Sequence, residues 1–534
     1  MLLNPFLDKI EKMRKTTYIL ILLVIGVHNL SLGQKKKKNV EIDTVEQESF
    51  IVQPNRIEFE VGNRDEDFVI ISAKERGLLV VKQTRNRTES GFIWELYLVD
   101  SLLNIVWNKA LSINYGSIFL GYDYSDEGFF LLYGKSEYKL DDMTVFQIDL
   151  SGEEIYSHAV QLALQLELSH FEVVSNTLIF GGFSNLRPVV TTIDLDDPKP
   201  KVMPGIYNNN SSIIDVRTDK KTNNFTIVLS ERTPQKQTTI SLKTFTEKGE
   251  LVHTETIEAE YEKSLLDGVS TSFDNGTQYV AGTFSKRKSE YSRGLYLAKL
   301  NLGKQEFIKY HDYADLENFF SYMRAKREER VKEKIERKKV KGQKAKFNYR
   351  LLIHDIVERE NEYILIGEAY YPKYSNYGGG NLYGSSNYGG NSGFSNPNFI
   401  GYKYTHAVVV GYSKKGDLLW DNSFEINDLL SYSLKDNVQI SVEDNRIVLL
   451  YVYENVIRSK IIQNDEILEG KSFDPVELHF KSDEVKDNDK EMEGLEKWFD
   501  GSFYTFGIQH IKNLKDKDVK LNRRVFYINK VQYQ

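Results

Sequence analysis

There is no cysteine in the 534 residues. Disulfides, thiolate nucleophiles, cysteine-bound zinc and a lipid anchor on an N-terminal cysteine are therefore excluded. An exported chain of this kind needs a large core in place of staples. Proline is scarce, with 10 residues against 33 tyrosines and 29 phenylalanines, a balance that favours strands. Signatures of several enzyme classes are missing as well. The nine histidines show no H-E-x-x-H spacing, no G-x-S-x-G elbow occurs, and no metal or cofactor motif is present. What is present is 40% hydrophobic and 12% aromatic content, enough for a packed core and too much for a disordered chain.

The N-terminus reads as an export signal. Met13-Arg14-Lys15 is basic, Tyr18 to Val27 (YILILLVIGV) is apolar, and SLGQ follows. Ser31 and Gly33 are placed as the small residues of a cleavage site. Ten apolar residues are short for a membrane span of about 20. Residues 1–33 are therefore expected to be removed as a signal peptide, leaving 34–49 as a basic and polar tail around Lys35–Lys38. Met13 is an alternative start. The expected location is the periplasm, the outer-membrane surface or the exterior. Residues 1–33 hold four basic and two acidic residues, so the remainder carries −9 against −7 for the whole chain. That charge gives no general pull toward nucleic acid.

Eight short apolar runs follow Asp, Asn or Gly turns. They are GLLVVKQ from Gly77, GFFLLYG from Gly128, NTLIFGG from Asn176, NFTIVLS from Asn224, GTQYVAG from Gly276, EYILIGE from Glu362, NRIVLLY from Asn445 and GSFYTFG from Gly501. The first four intervals are 51, 48, 48 and 52 residues. A second strand-like run follows each, such as WELYLVD or TVFQIDL. Several units then add a tight turn and a third run, as in DLSGEEIYSHAV, which is a hairpin signal. One more strand precedes each run, as in SSIIDVRTD (211–219). Four antiparallel strands repeated about every 50 residues predict an all-β fold, a β-propeller. A single blade exposes both faces, and closing a ring of blades buries them. Eight blades are expected, or seven if one unit is degenerate, in a single domain over 50–534. The last unit ends at Gln534 one strand short, and RIEFEV (56–61) belongs to no unit. RIEFEV is therefore expected to supply the outer strand of the last blade and close the ring.

The hairpins LVDSLLNIVWNKAL and SKKGDLLWDNSF resemble the D-x-x-G-x-x-x-W repeats of the quinoprotein-like propellers. That group includes the cell-envelope scaffold that helps assemble outer-membrane proteins. The whole chain looks like the exported propellers of Gram-negative envelopes. The resemblance implies an eight-bladed ring, but it carries over no catalytic residue and no quinone. Trp107 and Trp420 sit at matching places in these hairpins, which points to a role in blade packing.

Two later intervals, of 86 and 83 residues, exceed the period by roughly 35 each. They mark inserts at 319–347 and 371–401. Arg324 to Lys346 carries 12 basic and 4 acidic residues, which leaves −17 on the rest of the chain after residue 33. The segment is rich in helix formers, with Glu328–Lys332 and Glu333–Arg337 at the supportive i, i+4 spacing. Val331 and Ile335 make only a thin apolar stripe, so most of this helix should face water. Arg327, Arg330, Lys334, Arg337 and Lys338 are candidate contacts to anionic lipid, lipopolysaccharide or an acidic partner. The plain alternative is a solvated helix. The second insert mixes tyrosine with glycine, serine and asparagine. Its GGGNLYGSS lacks the P-loop lysine, and a strand follows it instead of a helix. The composition is that of a mobile loop. It is also that of a paratope, which makes Tyr374, Tyr377, Tyr383 and Tyr388 candidate binding residues.

Ligand sites of propellers draw on the innermost strands. Asp215, Asp267 and the pair His354–Asp355 fall there at comparable offsets. Three carboxylates facing one channel would suit acid–base chemistry or calcium; the plain alternative is local capping of strand ends. The acidic stretch DEVKDNDKEMEGLE (483–496) lacks the EF-hand glycine and reads as a solvated loop. Two functions follow. One is a non-catalytic exported scaffold that binds a protein or an envelope glycan or lipid through its inserts. The other is a glycan-active enzyme with carboxylates in the channel. No cofactor, metal or nucleic acid is expected.

Overall fold

The computed structural model describes residues 50–534 apart from 63–65, 137–139, 141, 274–275, 287–288, 375–398, 444–445, 517 and 534. The expected signal peptide and tail, and Tyr377, Tyr383 and Tyr388, lie outside the described residues. Eight antiparallel sheets succeed one another as blades of a propeller ring. Blade 1 comprises Asp67–Ser72, Leu78–Arg87, Gly91–Val99 and Ile105–Asn114. Blades 2 to 7 span 118–160, 167–202, 211–257, 263–312, 350–431 and 439–475. Blade 8 spans 483–533 and is completed by N-terminal residues. The first strand of each blade is innermost, and those of blades 1 to 4 adjoin one another around the axis.

The eight apolar runs are the second strands. Each is covered by a neighbouring blade on both faces, so it is apolar continuously and not alternately. Gly128–Gly134 is buried at every residue. Closure follows the expected route. Arg56–Glu60 pairs antiparallel with Asn522–Tyr533, in register from Arg56↔Asn529 to Glu60↔Val525. Arg56 fixes this seam. Its guanidinium meets Glu58 at 2.8 Å and donates to Asn529 Oδ1 at 2.9 Å and Gln509 Oε1 at 2.8 Å.

One reading is corrected. The acidic stretch is not a loop: Asp483–Lys497 is the innermost strand of blade 8. Its pairing slips between Val485 and Asp487 and again between Asp489 and Gly494, and bulges of this kind erase the alternation that marks a strand. The two tryptophans do pack within the blades, as their matching places suggest, but with different hydrogen-bond partners. Trp107 donates to Leu150 O of the next blade at 3.2 Å, whereas Trp420 donates to Glu362 Oε2 of its own blade at 2.9 Å.

The insert between blades 5 and 6 is rooted in the core. Tyr313, Leu316, Phe319 and Phe320 are buried with the side chains of blades 5 and 6. Asp421 accepts from the Glu317 and Asn318 amides at 2.8 Å each. His406 is fully buried, stacked on Tyr322 with centroids 3.6 Å apart. Burial drives its pKa down to about 3, so the ring is neutral.

Candidate functional site

The innermost strands are where backbone regularity fails. Blades 2, 3 and 4 slip in register at Phe119/Gly121, Leu168/His170 and Ile213/Asp215. Blade 5 breaks between Lys263–Leu265 and Val269–Ser270, and blade 6 between Arg350–Ile353 and Val357–Glu358. Bulges and breaks re-aim side chains, and the polar residues at these irregularities build the site.

Asp123, Glu172 and Asp215 come from blades 2, 3 and 4 and stand within electrostatic reach of one another. Burial, then the charges of Asp123 and Asp215, push the Glu172 carboxyl up to about 8. Two cations from blade 4 answer this charge by reaching across neighbouring blades. Lys220 Nζ lies 3.5 Å from Asp123 Oδ1 and donates to Tyr124 O in blade 2. Arg217 Nε lies 3.4 Å from Asp215, while its terminal nitrogens meet Asp355 of blade 6 and Ser270 O of blade 5. Asp123 also accepts the Val173 amide at 2.6 Å.

A second cluster joins blades 6 and 7. His354 Nε2 lies 2.9 Å from Glu368 Oε1 and 3.4 Å from Asp436 Oδ1. Glu368 is fully buried and accepts the Asn437 and Val438 amides at 2.7 Å each. Burial opposes charge on His354, but the hydrogen bond and charge of Glu368, then Asp436 and Asp355, outweigh it and raise its pKa.

The structure thus brings Asp215 and Asp355 together on Arg217, sets His354 within electrostatic reach of Asp355, and leaves Asp267 out. Asp267 sits in the break of blade 5, where its Oδ1 takes the Thr283 amide at 2.6 Å, in place of the missing strand. Burial moves its pKa up to about 6. Asp123, Glu172, Arg217 and Lys220 were missed in the sequence reading. The available signal was a lone carboxylate inside an apolar innermost strand in three successive units: GYDYS, HFEVV and IIDVR.

The basic helix, α1, is Ala325–Val340. Val331 and Ile335 pack on the core below. Glu328 and Lys332 pair at 2.7 Å, while Arg337 Nε turns to the Glu333 carbonyl at 3.4 Å. Arg327, Arg330, Lys334 and Arg337 are exposed, with no carboxylate partner among the described residues. Lys338 is half-buried and donates to Gln343 at 2.9 Å. In blade 6 the strands Glu362–Tyr374 and Phe399–Ser413 form a long antiparallel pair that runs to Tyr374↔Phe399. Tyr370, Tyr402 and Tyr404 are packed along it, and Tyr374 is 48% exposed against Phe399. Tyr371 is 44% exposed.

No protein-family model and no curated protein matches this chain. Solved structures are similar at low identity and low TM-score. The polysaccharide lyase Uly1 is 8% identical, with TM-score 0.38, covering 90% of this chain and 100% of that one. Prolyl oligopeptidase B from Galerina marginata is 10% identical, with TM-score 0.37, covering 85% of this chain and 56% of that one. The β-propeller domain of the Trilobed protease from Pyrococcus furiosus is 11% identical, with TM-score 0.33, covering 76% and 99%.

Proposed function

We propose that the chain is an exported, non-catalytic propeller that binds an anionic envelope component or an acidic partner. The basic helix is the main contact, and the tyrosine-rich hairpin of blade 6 is a second. The observation that carries this reading is how the two sets of charges are used. At the channel mouth Asp123, Asp215 and Asp355 are each engaged by Lys220 or Arg217. Carboxylates held this way brace the ring. On α1 the outward cations carry no such commitment, and exposed cations on a rooted helix suit an anionic surface. Crosslinking in the native envelope tests this reading. The wild-type chain should capture a partner that a variant with Arg327, Arg330, Lys334, Arg337 and Lys338 changed to glutamine does not. Equal capture by both would refute it.

One observation favours the second reading, a glycan-active enzyme. Glu172, pushed up to about 8 by burial and by Asp123 and Asp215, has the environment of a proton donor. Turnover of a polysaccharide that is lost on Glu172→Gln would establish it.

A further inference from the structure

Across blade 4 one register row is polar from channel to rim. Arg217 pairs with Thr226, Thr226 with Thr244, and Thr244 with His253, one residue from each of the four strands. Two residues along on the same face, Val228 and Leu242 lie in the apolar core shared with blade 5. The blade interface therefore turns from apolar to hydroxyl-bearing at this row. Blade 5 faces the row with Ser270, Thr271, Ser272 and Phe273, and a cleft of about 190 Å³ lies between them, open toward Asp355.

The walls are held in place. Arg217 is fixed by Asp215, Asp355 and Ser270 O. Thr226 and Thr244 hydroxyls bond each other at 2.8 Å, which leaves each with acceptor capacity for a further hydroxyl. Thr271 Oγ1 takes the Tyr279 amide at 3.1 Å. Phe273 is backed by His253, ring centroids 3.9 Å apart. Among the described residues, the charged ones lining the cleft are Arg217 against Asp219, Asp355 and Glu358, a balance that repels anions. Threonine and serine hydroxyls, carboxylate acceptors, a planar guanidinium and one aromatic ring are the groups that recognise the hydroxyls and the apolar face of a sugar. The volume is below the range of about 300–1,000 Å³ usual for drug-sized ligands, so it suits one ring and not a chain.

We propose that this cleft between blades 4 and 5 is a binding subsite for a single neutral sugar ring of a glycan, entered from the channel mouth. It stands apart from the inserts and holds whether or not they bind a partner. Saturation-transfer NMR on the full chain tests it, with the methyl glycosides of glucose, galactose, mannose and N-acetylglucosamine as probes and methyl glucuronide as the anionic control. At least one neutral glycoside should receive saturation while the glucuronide does not. The double variant Thr226→Val, Thr244→Val removes both partners of one hydrogen bond and so leaves no orphaned group. It should keep the melting temperature and weaken that glycoside at least fivefold. Phe273→Ala, on the opposite wall, should do the same and serves if the valine pair disturbs folding. The proposal is overturned if no neutral glycoside receives saturation, if the glucuronide binds as well as the neutral sugars, or if the folded variants lose less than fivefold.

Discussion

The channel mouth and the basic insert are both dense in charge, yet they use it in opposite ways. Arg217 and Lys220 reach across neighbouring blades to carboxylates and carbonyls. Arg327 and Arg330 on α1 point to solvent, while the weight of that insert rests on Phe319, Phe320 and His406 underneath. One region spends its cations on holding blades together. The other is held by aromatic packing, and Arg327 and Arg330 face solvent.

The aromatic root should give the largest effect. Phe319 is fully buried against Tyr313, Phe320, Tyr349 and His406. Phe319→Ala should cost about 3–5 kcal/mol in chemical denaturation. A loss below about 1 kcal/mol would mean that the insert is only draped on the ring. Arg217→Met comes next. It strips the partner from Asp215 and Asp355, and because Asp355 is largely exposed the loss should be only about 1–2 kcal/mol. The matching change on the helix, Arg330→Met, should lie within about 0.5 kcal/mol of wild type. Equal losses from the two would erase the distinction.

The two buried histidines sharpen the comparison through pH. His406 is neutral in the fold, with a pKa of about 3, while an unfolded histidine titrates near 6.5. Its contribution is intact above about 6.5 and falls as pH drops toward 3, by up to about 1.4 kcal/mol per pH unit. His354 has a raised folded pKa, so its contribution is present below about 6.5 and is lost as pH rises through that folded value. Ring-proton NMR should show His354 titrating above the ordinary value and His406 silent down to acid pH. His406→Phe should remove part of the acid instability. Both rings titrating near 6.5 would contradict the geometry.

The fold was largely legible in the sequence because each second strand is buried on both faces, and a buried strand announces itself as an apolar run. The closing strand was legible because Arg56–Glu60 had no unit of its own. The site was less so. Sequence register assumes an unbroken strand, and the innermost strands are bulged or broken. Asp267 and Asp355 hold comparable positions, yet the break in blade 5 turns Asp267 to the Thr283 amide while the break in blade 6 presents Asp355 to Arg217. Partners drawn from other blades, such as Lys220 for Asp123, are set by ring geometry, to which no local pattern points. Reading Asp483–Lys497 as a loop failed for the same reason, since its bulges break the period of two.

The most direct test of the central claim is co-sedimentation with vesicles of phosphatidylglycerol and of phosphatidylcholine across a salt series. The wild type is compared with the variant in which Arg327, Arg330, Lys334, Arg337 and Lys338 are glutamine. Wild type should bind the anionic vesicles at low ionic strength and release them as salt shortens the screening length toward about 8 Å and below. The variant should melt like wild type and bind neither vesicle. No wild-type binding to anionic vesicles, or binding that survives the five substitutions, would contradict the assignment of α1 as the contact surface.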